Sequence, residues 1–411
     1  MTLSPDPRPS LDLDRTTASG LQPRLSSFET RTALPLHPVS SAFSRSHLVD
    51  YLQTIQAATP KALISDLTYT AISRLSCLFT EDISSFFGFE HRLQSPTAHA
   101  DFLIAVSSER GEREAFARLL TTENFPAEYL QIPAWQHVQS FAQHWTDAHS
   151  ILHTNVLGLW LEFDIDSASQ DIPIPCVFIH TTPIHAATRD SDYDWLLETG
   201  LPLLLGHTLS SNVRNHLQQA FKKLPASASV MDVGVMLSRT SSGVRLVYRH
   251  LQPQEIVPYL QSLDWTDTDN ELASLIDELT EFASRLVLHI TITDQGVSPK
   301  IGLECSFAPD LYQFETRWTS LFHYLERKQI CLPGKQEIIT DFMGADLEDT
   351  TTAFSLNHYT TAVRIPHAHY AKALVRYLSH VKIVYNPGHA LEAKAYPGVR
   401  LFGALSPAAG E

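Results

Sequence analysis

Residues 271–307 read ELASLIDELTEFASRLVLHITITDQGVSPKIGLECSF, and this stretch decides the fold. Leu272, Leu275, Ile276 and Leu279 recur at i, i+3, i+4 and i+7, which predicts a helix with one apolar face over 271–283. Leu286, Leu288, Ile290 and Ile292 then alternate with Val287, His289, Thr291 and Thr293, the period of a strand over 285–293. Asp294, Gln295 and Gly296 are turn residues, and a second strand is expected from Pro299 to Phe307. So short a connection makes the pair an antiparallel hairpin. With another helix read upstream over 254–263, the unit is helix, helix, hairpin.

Outward in both directions the same order returns. The first unit has helices from Leu48 and over Ala62–Phe79, then strands Ser84–Leu93 and Asp101–Ser107. The second has helices Glu112–Leu120 and Trp135–Ala148, then strands Val156–Asp166 and Ile174–Thr181. The third has helices Trp195–Leu205 and Ser211–Lys222, then strands Ser229–Ser238 and Gly243–His250. The last has helices Phe314–Lys328, Gly334–Phe342 and His369–Leu378, then strands His380–Asn386 and Leu391–Leu401, with a polar insertion at 345–361. Residues 1–45, rich in Pro, Ser, Thr and Arg, read as a flexible arm, 46–403 as one domain and 404–411 as a tail. Five such repeats predict an α/β (α+β) fold: ten antiparallel strands closed into a barrel, helices outside. Closure removes the sheet edges.

At 411 residues, 44% hydrophobic and 18% charged, the chain has ample material for a core and is no disordered polymer. A net charge of −15 argues against a nucleic-acid or anionic-membrane partner. No apolar run is long enough to span a bilayer, and the N-terminus lacks the apolar core of a secretion signal. Cys77, Cys176, Cys305 and Cys331 sit singly in apolar segments and read as small hydrophobes. The chain therefore reads as cytoplasmic.

Helices outside the barrel require apolar residues on the outward face of each strand, which leaves the inward set free to be polar. Val233, Val235 and Leu237 face out, against Asp232, Gly234, Met236 and Ser238. Ile301, Leu303 and Cys305 face out, against Lys300, Gly302, Glu304 and Ser306. The inward set also takes in Glu90, Arg92, Trp160, Glu162, Asp164, Arg245, Arg249, His289, His380, Lys382, Glu392, Lys394 and Tyr396. Burying so many charges requires pairing, hydration or a ligand. A polar lumen with an anion held at the lysines is the functional reading; an open sheet with one solvated face would give the same letters.

Five helix–helix–hairpin units around a ten-stranded barrel resemble the aromatic prenyltransferases of the ABBA, or PT-barrel, superfamily, which includes the dimethylallyltryptophan synthases and the cyanobactin peptide prenyltransferases. Thr80–Glu90 (TEDISSFFGFE) is similar to the first-hairpin region carrying the family's catalytic Glu. Val381–Tyr385 (VKIVY) and Val244–Tyr248 (VRLVY) are similar to its basic strands, and Lys394-Ala-Tyr396 to its alternation of cation and Tyr on one face. Lys382 and Tyr385, like Arg245 and Tyr248, stand three apart, a departure from that alternation. The resemblance implies an allylic diphosphate donor and an aromatic small-molecule or peptide acceptor. Lys300, Lys382, Lys394, Arg245 and Arg249 would hold diphosphate, and Trp160 and Tyr396 would shield the allylic cation. Glu90 would take the proton, with Glu304 as a second candidate. The expected state of Glu90 is a raised pKa beside Trp160, against the alternative of a salt bridge to Arg92 that lowers it.

No cofactor is called for except Mg²⁺, for which Glu162 and Asp164 are the candidate ligands on one strand face. His367-Ala-His369 could hold a metal but lacks a third ligand at ligand spacing. No serine-hydrolase, zincin, P-loop or dinucleotide motif is present. The alternative of another class is a barrel-shaped accessory or binding protein of a peptide or natural-product pathway, without prenyl transfer. A basic floor with an aromatic wall favours the enzyme; a lumen filled by salt bridges favours the accessory protein.

Overall fold

The computed structural model describes residues 47–80, 82–186, 190–239, 243–266, 270–349 and 370–403. The arm at 1–45, the tail, most of the 345–361 insertion and the His367–His369 pair lie outside the described residues. The strands are β1 (Phe86–Arg92), β2 (Ala100–Ser107), β3 (Val156–Phe163), β4 (Pro175–Ile184), β5 (Ser229–Val235) and β6 (Val244–Arg249). They continue as β7 (Arg285–Thr293), the two-residue β8 (Gly296–Val297), β9 (Ile301–Ser306), β10 (Gly344–Asp349), β11 (Tyr370–Tyr385) and β12 (Glu392–Gly403).

From β1 to β7 each strand pairs antiparallel with the next; β7 then pairs with β9, β9 with β11, and β11 with β12. β12 returns to β1, with Gly88 opposite Gly398 and Arg92 opposite Lys394. Ten antiparallel strands thus close a barrel, with β8 and β10 as short additions to β7 and β11.

A pair of helical segments precedes each hairpin, and their starts follow local chemistry. Ser65 and Ser210 accept hydrogen bonds from the backbone N–H groups of Thr68 and Val213. Pro253 opens the Pro253–Ser262 helix behind a reciprocal Gln252–Glu255 cap. Leu272, Leu275, Ile276 and Leu279 are buried, as are Trp318, Leu321, Phe322 and Leu325. They meet the outward strand residues, among them Val233, Leu246, Ile301 and Leu303, in one continuous apolar layer. Each fully buried side chain of this size contributes ~1.5–3 kcal/mol. The main core therefore lies between barrel and helices, which releases the lumen face from holding the fold together.

The 369–378 segment departs from the helix expected there. Tyr370–Tyr385 is one sixteen-residue strand, its first half flanked on both sides by β10 and β12. Its register shifts between Leu378 and His380. Such a bulge exchanges the two faces, so the period-two alternation that marks a long strand is broken in mid-course. The Trp195–Leu205 helix also differs, being split into Asp190–Trp195 and Leu201–Leu205 by a wider turn. Cys77 is exposed while the other three cysteines are buried, and all four are free. Among the described residues no helix is long and apolar enough to cross a membrane.

From sequence, residues 1–45 read as a flexible arm, and this carries a prediction. A chain starting near Arg45 is expected to keep its thermal midpoint. A fall of more than ~5 °C in a melting curve would show that the arm packs on the rest.

Candidate active site

Strand register places Glu90, Trp160, Glu162, Asp232, Arg245, His289, Glu304, Lys382, Lys394 and Tyr396 on the lumen side. Glu162 faces Cys176, Trp160 faces Phe178, His180 faces Asp232, Arg245 faces Thr291, and Lys382 faces both Glu304 and Lys394. Parity gave this set, but not who touches whom. The carboxylate of Glu90 accepts from Lys394 Nζ (2.7 Å) and Tyr396 Oη (2.6 Å). Arg92 stands 4.0 Å from Glu90 and pairs instead with Asp101 at 3.0 Å. Burial by itself would raise the Glu90 pKa, but the charge and hydrogen bond of Lys394, the Tyr396 hydroxyl and the charge of Lys382 bring it down to about 2. The expected upward shift is thus reversed, and the salt bridge responsible is to Lys394, not Arg92.

A second cluster surrounds Glu304. His289 Nε2 lies 2.5 Å from its carboxylate, His380 Nε2 3.4 Å and Lys382 Nζ 3.8 Å. Burial opposes ionisation, yet these neighbours hold Glu304 well below the usual range. Lys382 Nζ donates to His289 Nδ1 at 2.9 Å, and burial lowers the lysine to about 8 and His289 to about 4. At neutral pH Lys382 is therefore mostly charged and His289 neutral.

Of the three lysines expected to converge, Lys382 and Lys394 meet on neighbouring strands. Lys300 precedes β9, half exposed, and pairs with Glu392 at 3.2 Å. Arg249 shares the lumen parity of Arg245 at the far end of β6. Arg245 has no carboxylate within ion-pair distance among the described residues, only a long hydrogen bond to Thr291 (3.4 Å).

Asp164 binds Arg239 (2.8 Å) and Ser238 (3.1 Å). That engagement leaves Glu162 without the second carboxylate a Mg²⁺ site would use, so the pair does not fit the ion. Among the described residues no group of three His, Cys, Asp or Glu is arranged to hold a metal.

Aromatic rings form much of the wall. Trp160 meets Phe86 edge-on at 5.2 Å, and Phe86 meets Tyr377 at 6.3 Å. Tyr396 stacks on His380 at 4.2 Å. Phe178, Cys176, Met236 and Val247 make a small apolar cluster with Trp160 and Val287, separate from the outer core. Phe86, Phe178 and Tyr377 were missed in the sequence. Phe86 shares the parity of Glu90 and was within reach, whereas Tyr377 was hidden by the bulge. Tyr385 and Tyr248 lie on the other face, donating to Glu271 and bonded to Tyr259.

Phe178 lies across Gly234, where an added Cβ would come within 2.5 Å of its ring. Gly234→Ala is expected to push this ring toward the lumen at a cost of ~1–3 kcal/mol in a urea melt. An unchanged midpoint would mean that Phe178 swings aside freely.

No protein-family model matches the sequence, and no curated protein does. Solved structures do match. The apo form of the prenyltransferase PriB superposes with a TM-score of 0.51 at 13% identity, covering 85% of this chain and 95% of that one. PriB with L-tryptophan and dimethylallyl thiolodiphosphate gives 0.50 at 12% identity over the same shares. The fold is the PT barrel. A 5-dimethylallyltryptophan synthase from Streptomyces coelicolor matches at 0.46 and 12% identity, over 86% of this chain and 97% of that one. Within the PT barrel, this chain's lumen cations are largely paired with carboxylates, a property of its own residues that the shared fold does not dictate.

Proposed function

We propose that this PT barrel transfers a prenyl group from an allylic diphosphate to an aromatic acceptor within its lumen. The observation that carries the reading is the juxtaposition, across β11 and β12, of Lys382 and Lys394, on the same lumen side of the barrel as Trp160, Phe86 and Phe178. Lys382, Lys394 and Arg245 neutralise the departing diphosphate, with Arg249 and Lys300 nearer the barrel ends. The rings stabilise the allylic cation. PriB, of the same fold, is described with product diphosphate in one structure and with tryptophan and a donor analogue in another; that pair of ligands suits a cationic patch beside an aromatic wall. Glu90, ionised and fixed between Lys394 and Tyr396, orients the lysine. No step requires a metal, because the cations supply the charge that Mg²⁺ would.

The salt bridges favour a second reading. Lys394 with Glu90, Lys382 with Glu304, Lys300 with Glu392 and Arg239 with Asp164 are cations that already have carboxylate partners, with Arg245 an exception among the described lumen cations. Such a lumen suits an accessory or binding protein of a peptide or natural-product pathway. Incubation with dimethylallyl diphosphate and L-tryptophan, simple indoles, phenols or aromatic peptides separates the two. A product heavier by one prenyl unit in mass spectrometry supports transfer. Binding of acceptors without any such product supports the accessory role.

A further inference from the structure

The lumen carboxylates divide sharply. Glu90 is held by Lys394 and Tyr396, Asp101 by Arg92 and His99, and Asp164 by Arg239 and Ser238. Asp232 is held by His180, Glu304 by His289, and Glu392 by Lys300. Glu162 alone has no hydrogen-bond or ion-pair partner among the described residues. It lies on β3, two residues along the same face from Trp160 and opposite Cys176, at the edge of the apolar cluster built on Phe178, Met236 and Val247. We propose that Glu162, rather than Glu90, takes the proton from the aromatic acceptor.

The assignment rests on the prenyl-transfer reading above. A base must be basic enough for the proton it removes. The hydrogen bonds from Lys394 and Tyr396, one on each Glu90 oxygen, hold that carboxylate a weak base, whereas Glu162 carries no such bond among the described residues. In the step, the C–O bond of the allylic diphosphate breaks and its electron pair leaves with the diphosphate, beside Lys382 and Arg245. A bond forms between the prenyl carbon and a ring carbon of the acceptor. The proton on that ring carbon passes to a Glu162 oxygen, and the C–H electron pair restores aromaticity. The proton then leaves to water as product departs.

The surroundings suit the role. Burial and the charge of Glu90 push the Glu162 pKa up to about 7, against the opposing charges of Lys382, Arg245 and Arg239. Asp164 lies just past the end of β3, and Cys176 on β4 and Tyr396 on β12 interact with the charge of Glu162. Two carboxylates driven apart in this way divide their tasks. Glu90 stays ionised, and Glu162 gains and loses a proton near neutrality.

The test compares Glu162→Gln with the parent, using dimethylallyl diphosphate and L-tryptophan or a simple indole. The parent kcat is expected to fall on the acid side of pH ~7, and Glu162→Gln to lose that limb together with ~10²–10⁴-fold in kcat. Glu162→Asp should recover part of the rate. A second readout needs no turnover. Protonated Glu162 favours the fold below about 4.5, and that stability is lost as pH rises through about 7. Glu162→Gln should therefore melt progressively higher than the parent between those limits. A Gln variant with the parental rate and limb overturns the assignment, as does a melting difference that stays flat across that window. Failure of the parent itself to prenylate any aromatic probe overturns the transfer reading instead, even where the melting difference behaves as expected.

Discussion

Lys382→Met is expected to abolish pyrophosphate binding while leaving the circular dichroism spectrum unchanged. The side chain lies in the lumen between β9 and β12, its ammonium 2.9 Å from His289 and 3.8 Å from Glu304. Two unit charges ~4 Å apart are worth ~4 kcal/mol at an effective dielectric near 20, which is ~10³-fold in affinity. His289 is neutral at pH 7, Lys394 shares its charge with Glu90, and Arg245 on β6 already contributes in the parent, so none of them replaces the lost charge. Removing it also leaves the Glu304 carboxylate facing the incoming anion without its nearest lysine. In the parent the same affinity should weaken as pH rises through about 8, where the empty site gives up the Lys382 proton. Calorimetric titration with pyrophosphate reads both effects. Undiminished binding by the Met variant would sink the anion site and, with it, the main support for a diphosphate donor.

How far the sequence led follows from the range of each physical rule. Period two over nine residues sufficed to sort Leu288 and Ile290 outward and His289 inward, because the outer helices accept only apolar neighbours. The same parity gathered Glu90, Glu162, Lys382 and Lys394 from four strands into one lumen. Partner choice was beyond it. Glu90 and Lys394 are 304 residues apart, and only barrel closure through β12 brings them to 2.7 Å. Arg92, the neighbour visible in the sequence, turns to Asp101 instead, so the direction of the Glu90 shift was misread. Spacing likewise suggested that Glu162 and Asp164 share an ion, when Arg239, from the β5–β6 connection, binds Asp164 and leaves Glu162 alone. The Leu378–His380 bulge exchanged faces within β11 and concealed Tyr377 as part of the wall. Each error arises where a contact distant in sequence overrides a local period.

Glu90→Gln is expected to have opposite effects on stability and on anion binding. With its pKa held at about 2, Glu90 contributes stability above the ordinary carboxylate range, and that contribution fades as pH falls through about 2. The variant should therefore lose ~1–3 kcal/mol in a urea melt at pH 7, and the difference from the parent should narrow below pH ~4.5. The loss arises because Lys394 is left enclosed without its counter-charge. That freed lysine should now bind pyrophosphate more tightly than in the parent, the reverse of Lys382→Met. Turnover separates the two carboxylates. Glu90 is one cause of the raised Glu162 pKa, so the variant should keep an acid limb but move it to lower pH. A proton acceptor at position 90 would behave otherwise, losing the limb and ~10²–10⁴-fold in kcat. That outcome, with pyrophosphate affinity unchanged, would return the base to Glu90 and leave Glu162 as an unpaired acid on an aromatic wall.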